Sequence, residues 1–97
     1  MAGYIVLGKY TPEGLAKIKE MPEIINKHKE HLKKLGIHLV GTWCTMGEYD
    51  FVSIYDCPDD LTMAVRILDA GRAGLVTTQT MRALSEAEFA QAVSRIE

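Results

Sequence analysis

Few side chains in this sequence are placed for chemistry, and most of them gather around one glycine. Gly47 is followed by Glu48, Tyr49 and Asp50, which sets a phenol beside a carboxylate at a turn, a pair able to hold or remove a proton. A turn symmetric about Gly47 also places His38 across from Asp56, and a carboxylate beside an imidazole orients it and favours its charged form. Tyr49, Asp50 and His38 are therefore the candidate catalytic groups. Asp50 and His38 each have a structural reading that ranks ahead of the catalytic one, and the Tyr49 hydroxyl could reach a ligand or a partner chain. Asp50 would cap backbone N–H groups or meet Lys9 or Arg82, and His38 with Asp56 would be a surface ion pair at a strand end. Cys44 and Cys57 belong to no C-x-x-C or Cys/His cluster and read as reduced. His28 and His31 lie three apart on a predicted helix, but no carboxylate pattern completes a metal site, so no metal is expected. There is no nucleophile elbow, Walker loop, G-x-G-x-x-G fingerprint or paired-carboxylate site, and no cofactor is implied.

The 97 residues, 47% hydrophobic and 25% charged, suit one domain over 1–97, with a core at 4–84 and a terminal helix at 85–97. Eleven basic against thirteen acidic residues give a net charge of −2, with no footprint for nucleic acid or an anionic membrane. No apolar run approaches the roughly 20 residues of a bilayer span, and Met1-Ala2-Gly3-Tyr4 lacks a signal-type start. A soluble cytoplasmic protein is expected.

Tyr4 to Tyr10 is rich in β-branched and aromatic types and reads as a first strand. Thr11, Pro12 and Glu13 then give an N-cap, a first-turn proline and an acid at the positive end of a helix dipole. The helix runs to Gly36 with a break predicted at 20–23 because of Pro22, and Leu15, Ile18, Met21, Ile25, His28, Leu32 and Leu35 form its core stripe. Strands follow at Ile37–Thr45 and Tyr49–Cys57, joined by a three-residue loop. After Pro58-Asp59-Asp60 a helix with Leu61, Ala64, Val65 and Leu68 on one face leads to a fourth strand over 75–83. Ser85 and Glu88 then form a capping box ahead of a final helix. The fold class is α+β: a ferredoxin-like βαββαβ arrangement with an antiparallel four-stranded sheet, both main helices on one face, and a C-terminal helix.

Strand parity divides the sheet into two faces. Val40, Thr42, Cys44, Asp50, Val52 and Ile54 share one, and Leu39, Gly41, Trp43, Tyr49, Phe51, Ser53 and Tyr55 share the other with Tyr4, Val6, Gly8 and Tyr10. If the aromatic face is the bare one, it exposes roughly several hundred Å² of apolar surface, near the upper limit for a monomer. A homodimer or larger oligomer is the simplest cover. Small residues at Gly8, Gly41 and Ser53 would leave a hollow walled by Tyr4, Tyr10, Trp43, Tyr49, Phe51 and Tyr55, an apolar lining suited to a small organic ligand. A neighbouring subunit could equally fill it.

The G-x-Y-D tetrapeptide at Gly47–Asp50, the opening Tyr4–Gly14 and the turn Pro58-Asp59-Asp60 resemble the GYD domain family over residues 4–84. The resemblance implies a ferredoxin-like fold of the dimeric α/β-barrel type and a biochemical role that is largely undefined. Three readings follow: a binding or sensory module for a small apolar or aromatic ligand, which is preferred; a cofactor-independent oxygenase or isomerase; and a purely structural oligomerisation protein.

Overall fold

A computed structural model describes every residue from Met1 to Glu97. The chain runs β1 (Ala2–Tyr10), α1 (Pro12–Ala16), a 3-10 turn (Ile18–Glu20), α2 (Met21–Lys34), β2 (His38–Cys44), β3 (Phe51–Cys57), α3 (Asp60–Arg72), β4 (Val76–Ala83) and α4 (Glu86–Ser94). The strands form one antiparallel sheet in the order β2-β3-β1-β4, the α+β ferredoxin-like arrangement expected from the sequence.

Thr11 caps α1 by accepting from the Gly14 amide, and Pro12 occupies its first turn. The helix breaks at Lys17, earlier than predicted, and Pro22 falls in the first turn of α2, where its missing N–H costs nothing. Leu15 and Ile18 consequently stay exposed, and the core stripe begins only at Met21. Gly14 lets the chain before β4 approach closely, because a Cβ there would lie 2.1 Å from the Leu75 carbonyl oxygen. That same carbonyl accepts from the Thr11 amide at 3.0 Å.

Helices α2 and α3 cover one face of the sheet, and it is the aromatic face. Tyr4, Val6, Tyr55 and Cys57 are buried there with Leu32, Ile37 and Met63. The expectation that this face is bare is therefore corrected: burying the rings removes more apolar area from water than burying the aliphatic face would. The open face carries Ile5, Leu7, Val52 and Ile54, all half-buried, beside Met81.

Two further expectations are revised. His38 pairs with Asp56 and Leu39 with Tyr55 as predicted, but the register then shifts, so that Gly41 pairs with Ile54, Thr42 with Ser53 and Trp43 with Val52. One extra residue in β2 exchanges the faces of everything beyond it, so Gly41 does not meet Ser53. On α3, Met63 and Arg66 are the buried residues, while Leu61, Val65 and Leu68 point outward. The capping box of Ser85 with Glu88 forms as predicted. α4 does not fold back over the sheet, and its Phe89, Val93 and Ile96 remain exposed on a molecule of 52 × 32 × 20 Å.

Candidate functional site

The G-x-Y-D segment forms the loop between β2 and β3, and its residues tie that loop to the middle of the sheet. Gly47 has φ +129°, a conformation that favours glycine. The Asp50 carboxylate accepts from the Tyr10 amide at 2.9 Å, and the Asp50 amide donates to the Gly8 carbonyl at 2.8 Å. β3 accordingly begins at Phe51, two residues later than predicted. Tyr49 donates its hydroxyl to Gln79 on β4 at 2.9 Å, and the Lys9 ammonium lies 5.3 Å from its ring centroid. Asp50 thus meets a backbone N–H rather than Lys9 or Arg82. Its position is that of a stitch between loop and strand.

His38 faces Asp56 across the strands yet is exposed and forms no ion pair with it. The three candidate catalytic groups therefore sit in three places: His38 at the far end of β2, Tyr49 against β4, and Asp50 against β1. They do not converge on a point where a substrate atom could meet all of them.

A cavity of about 190 Å³ lies between the aromatic face and helices α2 and α3, and 16 of its 22 lining residues are hydrophobic. Of the predicted ligand-binding residues, Tyr10, Phe51, Ser53 and Tyr55 line it from the helix-covered face, and Trp43, paired with Val52, only borders it while its ring lies over Gly41. The rings of Tyr10 and Phe51 are 5.6 Å apart at 45°, and burial pushes the Tyr10 phenol above its ordinary value. Buried Ser53 is satisfied by Thr42 at 2.8 Å. Tyr4, Gly8, Gly41 and Tyr49 lie outside the lining. The floor predicted from small residues does not form, because the Phe51 ring covers Gly8 and the Trp43 ring covers Gly41. Aromatic rings over sheet glycines fill the space the missing side chains leave.

The helix side of the cavity was not foreseen. α2 contributes Ile24, Ile25 and His28, and α3 contributes Arg66, Ile67 and Ala70. His28 is held below the ordinary histidine range, first by burial and then by the positive charge of Arg66. A charged residue in phase with Met63, Ile67 and Ala70 is the sequence signal that would have found Arg66, but the leucines on the opposite face of α3 drew the helix the other way.

At the end of the sheet remote from the G-x-Y-D loop, Tyr4 donates its hydroxyl to Asp60 in the first turn of α3. The hydrogen bond to that carboxylate, with burial, raises the Tyr4 phenol to about 12, and the Arg82 guanidinium lies 5.5 Å from its ring centroid. Arg82 also reaches Glu88 of α4 at 3.6 Å.

Comparison with known proteins bears on this architecture. The family model for the GYD domain matches residues 4–93. The "Glutamine synthetase and cystathionine beta-lyase binding protein" of Thermus thermophilus is 30% identical over 90 residues, which cover 92% of this chain and 95% of that protein. No solved structure matches with significance.

Two outcomes follow from the hydrogen bonds. Asp50→Ala leaves the Tyr10 amide without its carboxylate partner and should destabilise the protein by about 1.5–3 kcal/mol in urea unfolding. Asp50→Asn, which keeps an acceptor oxygen, should lose less; an unchanged stability in Asp50→Ala would show that the carboxylate's bond to Tyr10 is idle. Tyr4 gives the alkaline limit. A phenol that ionises at 10.0 in the unfolded chain and near 12 in the folded one keeps its stabilisation intact below pH 10 and loses it as pH rises toward 12. Unfolding curves across that window should show the decline, and Tyr4→Phe should flatten it.

Proposed function

The chain belongs to the GYD domain family, and on that premise we propose that it is a homo-oligomeric binding module whose cavity takes a small apolar or aromatic ligand. The observation that carries the reading is the cavity of about 190 Å³ between the aromatic sheet face and α2 and α3. An apolar cavity of about 150 Å³ is enough to hold benzene. Tyr10, Phe51, Ser53 and Tyr55 would contact the ligand from the sheet. His38, Tyr49 and Asp50 stand outside the lining, which weighs against a cofactor-independent oxygenase or isomerase built on them.

The oligomer would form through the open sheet face. Only 12 of 97 residues are buried in the single chain, so much of its apolar surface still lacks a partner. Ile5, Leu7, Val52 and Ile54 offer a second copy a flat aliphatic patch.

A second reading, that the module docks on an enzyme, is favoured by a separate surface. Leu61, Val65 and Leu68 are exposed along the outer side of α3, an apolar stripe of the kind a partner groove accepts. The related Thermus thermophilus protein is named for binding two enzymes. Ligand in the cavity and an enzyme on α3 would contact opposite sides of one helix, so the two readings are compatible.

Toluene and benzyl alcohol test the cavity directly. Each should give a saturable heat change on titration into the wild type, and Ala70→Phe, which fills the void, should abolish the change while the protein still melts cooperatively. No saturable change in the wild type would reject the reading. For the oligomer, sedimentation equilibrium at micromolar concentration should give a multiple of 10.8 kDa. Ile54→Asp should return the single-chain mass, because an unpaired carboxylate would be desolvated in the interface; a wild type that sediments as one chain would refute the assembly.

A further inference from the structure

Arg66 has no partner that its burial would demand. It is 9% exposed, yet its guanidinium makes no hydrogen bond with a protein group and no ion pair within 4.0 Å. A guanidinium taken out of water without a counter-charge is among the least favourable arrangements in a folded chain. Asp69, the nearest acid along α3, is engaged with His31 at 3.7 Å and Arg72 at 3.0 Å. No buried nitrogen of Arg66 is sealed from solvent, and Arg66 lines the cavity, so its donors open into that space.

We infer that the ligand of this cavity is an anion, a small carboxylate with an aromatic or short aliphatic body, anchored by Arg66. The inference rests on the cavity-binding reading above and specifies its chemistry. Among the 22 lining residues there is no aspartate or glutamate, while His28, Lys29 and Arg66 are all present. That bias stands out in a chain whose acids outnumber its bases, thirteen to eleven. His28, whose proton affinity is lowered first by burial and then by Arg66, lines the α2 side of the same cavity.

Carboxylate fits better than other anions on two counts. The guanidinium fork matches its two oxygens in a bidentate pair, and such pairs strengthen where water is excluded. The volume of about 190 Å³ leaves room for a single ring or a chain of a few carbons beside the charged group. Phe51, Tyr10 and Ile67 supply the apolar surround for that body, and Arg66 supplies its orientation.

Phenylacetate and its neutral counterpart phenylacetamide separate charge from shape. Titration calorimetry of the wild type should show the carboxylate binding at least about tenfold more tightly than the amide, a difference of about 1.4 kcal/mol. Arg66→Met should bring the two within about twofold of each other while toluene binding persists. A second readout needs no ligand. Because methionine keeps the apolar stem and removes the unpaired charge, ligand-free Arg66→Met should melt at the wild-type temperature or above it. Equal affinity for acid and amide in the wild type, retained preference in Arg66→Met, or a lower melting temperature of that variant would each overturn the inference. Toluene binding without any carboxylate preference would remove the anion and leave the cavity reading standing; failure of toluene and phenylacetate alike would remove both.

Discussion

The hydrogen bond from Tyr4 to Asp60 sets the rotation of α3, and the rest of the helix-covered face follows from that rotation. Asp60 is held toward the sheet at the first turn, where Asp59 also caps the helix by accepting from the Thr62 amide. At 3.6 residues per turn, Met63, Ile67 and Ala70 come round to the same side, and Arg66 lies at their flank. Leu61, Val65 and Leu68 are then forced outward. A helix whose apolar residues fall on two faces needs a directional contact to choose between them, since burial alone discriminates weakly. Cys57, fully buried beneath this end and hydrogen-bonded to the Asp59 carbonyl, leaves the first turn little freedom to rotate.

At the opposite end of the sheet the corresponding device is the Asp50 stitch. It closes the β2–β3 loop onto β1, and the Thr45 amide donating to the Asp50 carbonyl completes the closure. The extra residue in β2 acts between these two ends. By exchanging parity between Leu39 and Gly41, it brings Thr42 and Cys44 to the cavity side and sends Trp43 toward the open side, where its ring lies over Gly41. A regular β2 would instead have sent a ring as large as tryptophan into the space under α2. The cavity exists in part because a small hydroxyl, Thr42 bonded to Ser53, stands in that row.

Element order, strand parity on β1 and β3, the caps of α1 and α4, and the pairing of His38 with Asp56 were legible in the sequence because each depends on neighbours along the chain or on a simple turn. What was not legible depends on contacts between distant segments. Both sheet faces carry large apolar residues, so the alternation of Tyr4, Val6, Tyr55 and Cys57 with Ile5, Leu7, Val52 and Ile54 identifies two faces without saying which receives the helices. The bulge leaves no mark in composition, and the hollow drawn from Gly8, Gly41 and Ser53 assumed that its absence was the rule. For α3 the strongest local stripe, Leu61 with Val65 and Leu68, points away from the core, while the side facing the sheet carries Met63, Ile67 and the Asp60 carboxylate that accepts from Tyr4, 56 positions away. The tetrapeptide was easy to find and hard to interpret, since the partner that explains Asp50 is a backbone amide of Tyr10.

The orientation of α3 leaves two features without partners in the single chain. Turning Leu61, Val65 and Leu68 inward would bury side chains worth about 1.5–3 kcal/mol each, but would expose Met63 and Ile67 in exchange. The folded chain keeps three large apolar side chains wet and encloses an Arg66 guanidinium whose donors open only into the cavity. Both departures become favourable at once if each side of α3 meets something further: an anion against Arg66 on the inside, and an apolar surface against the leucines on the outside.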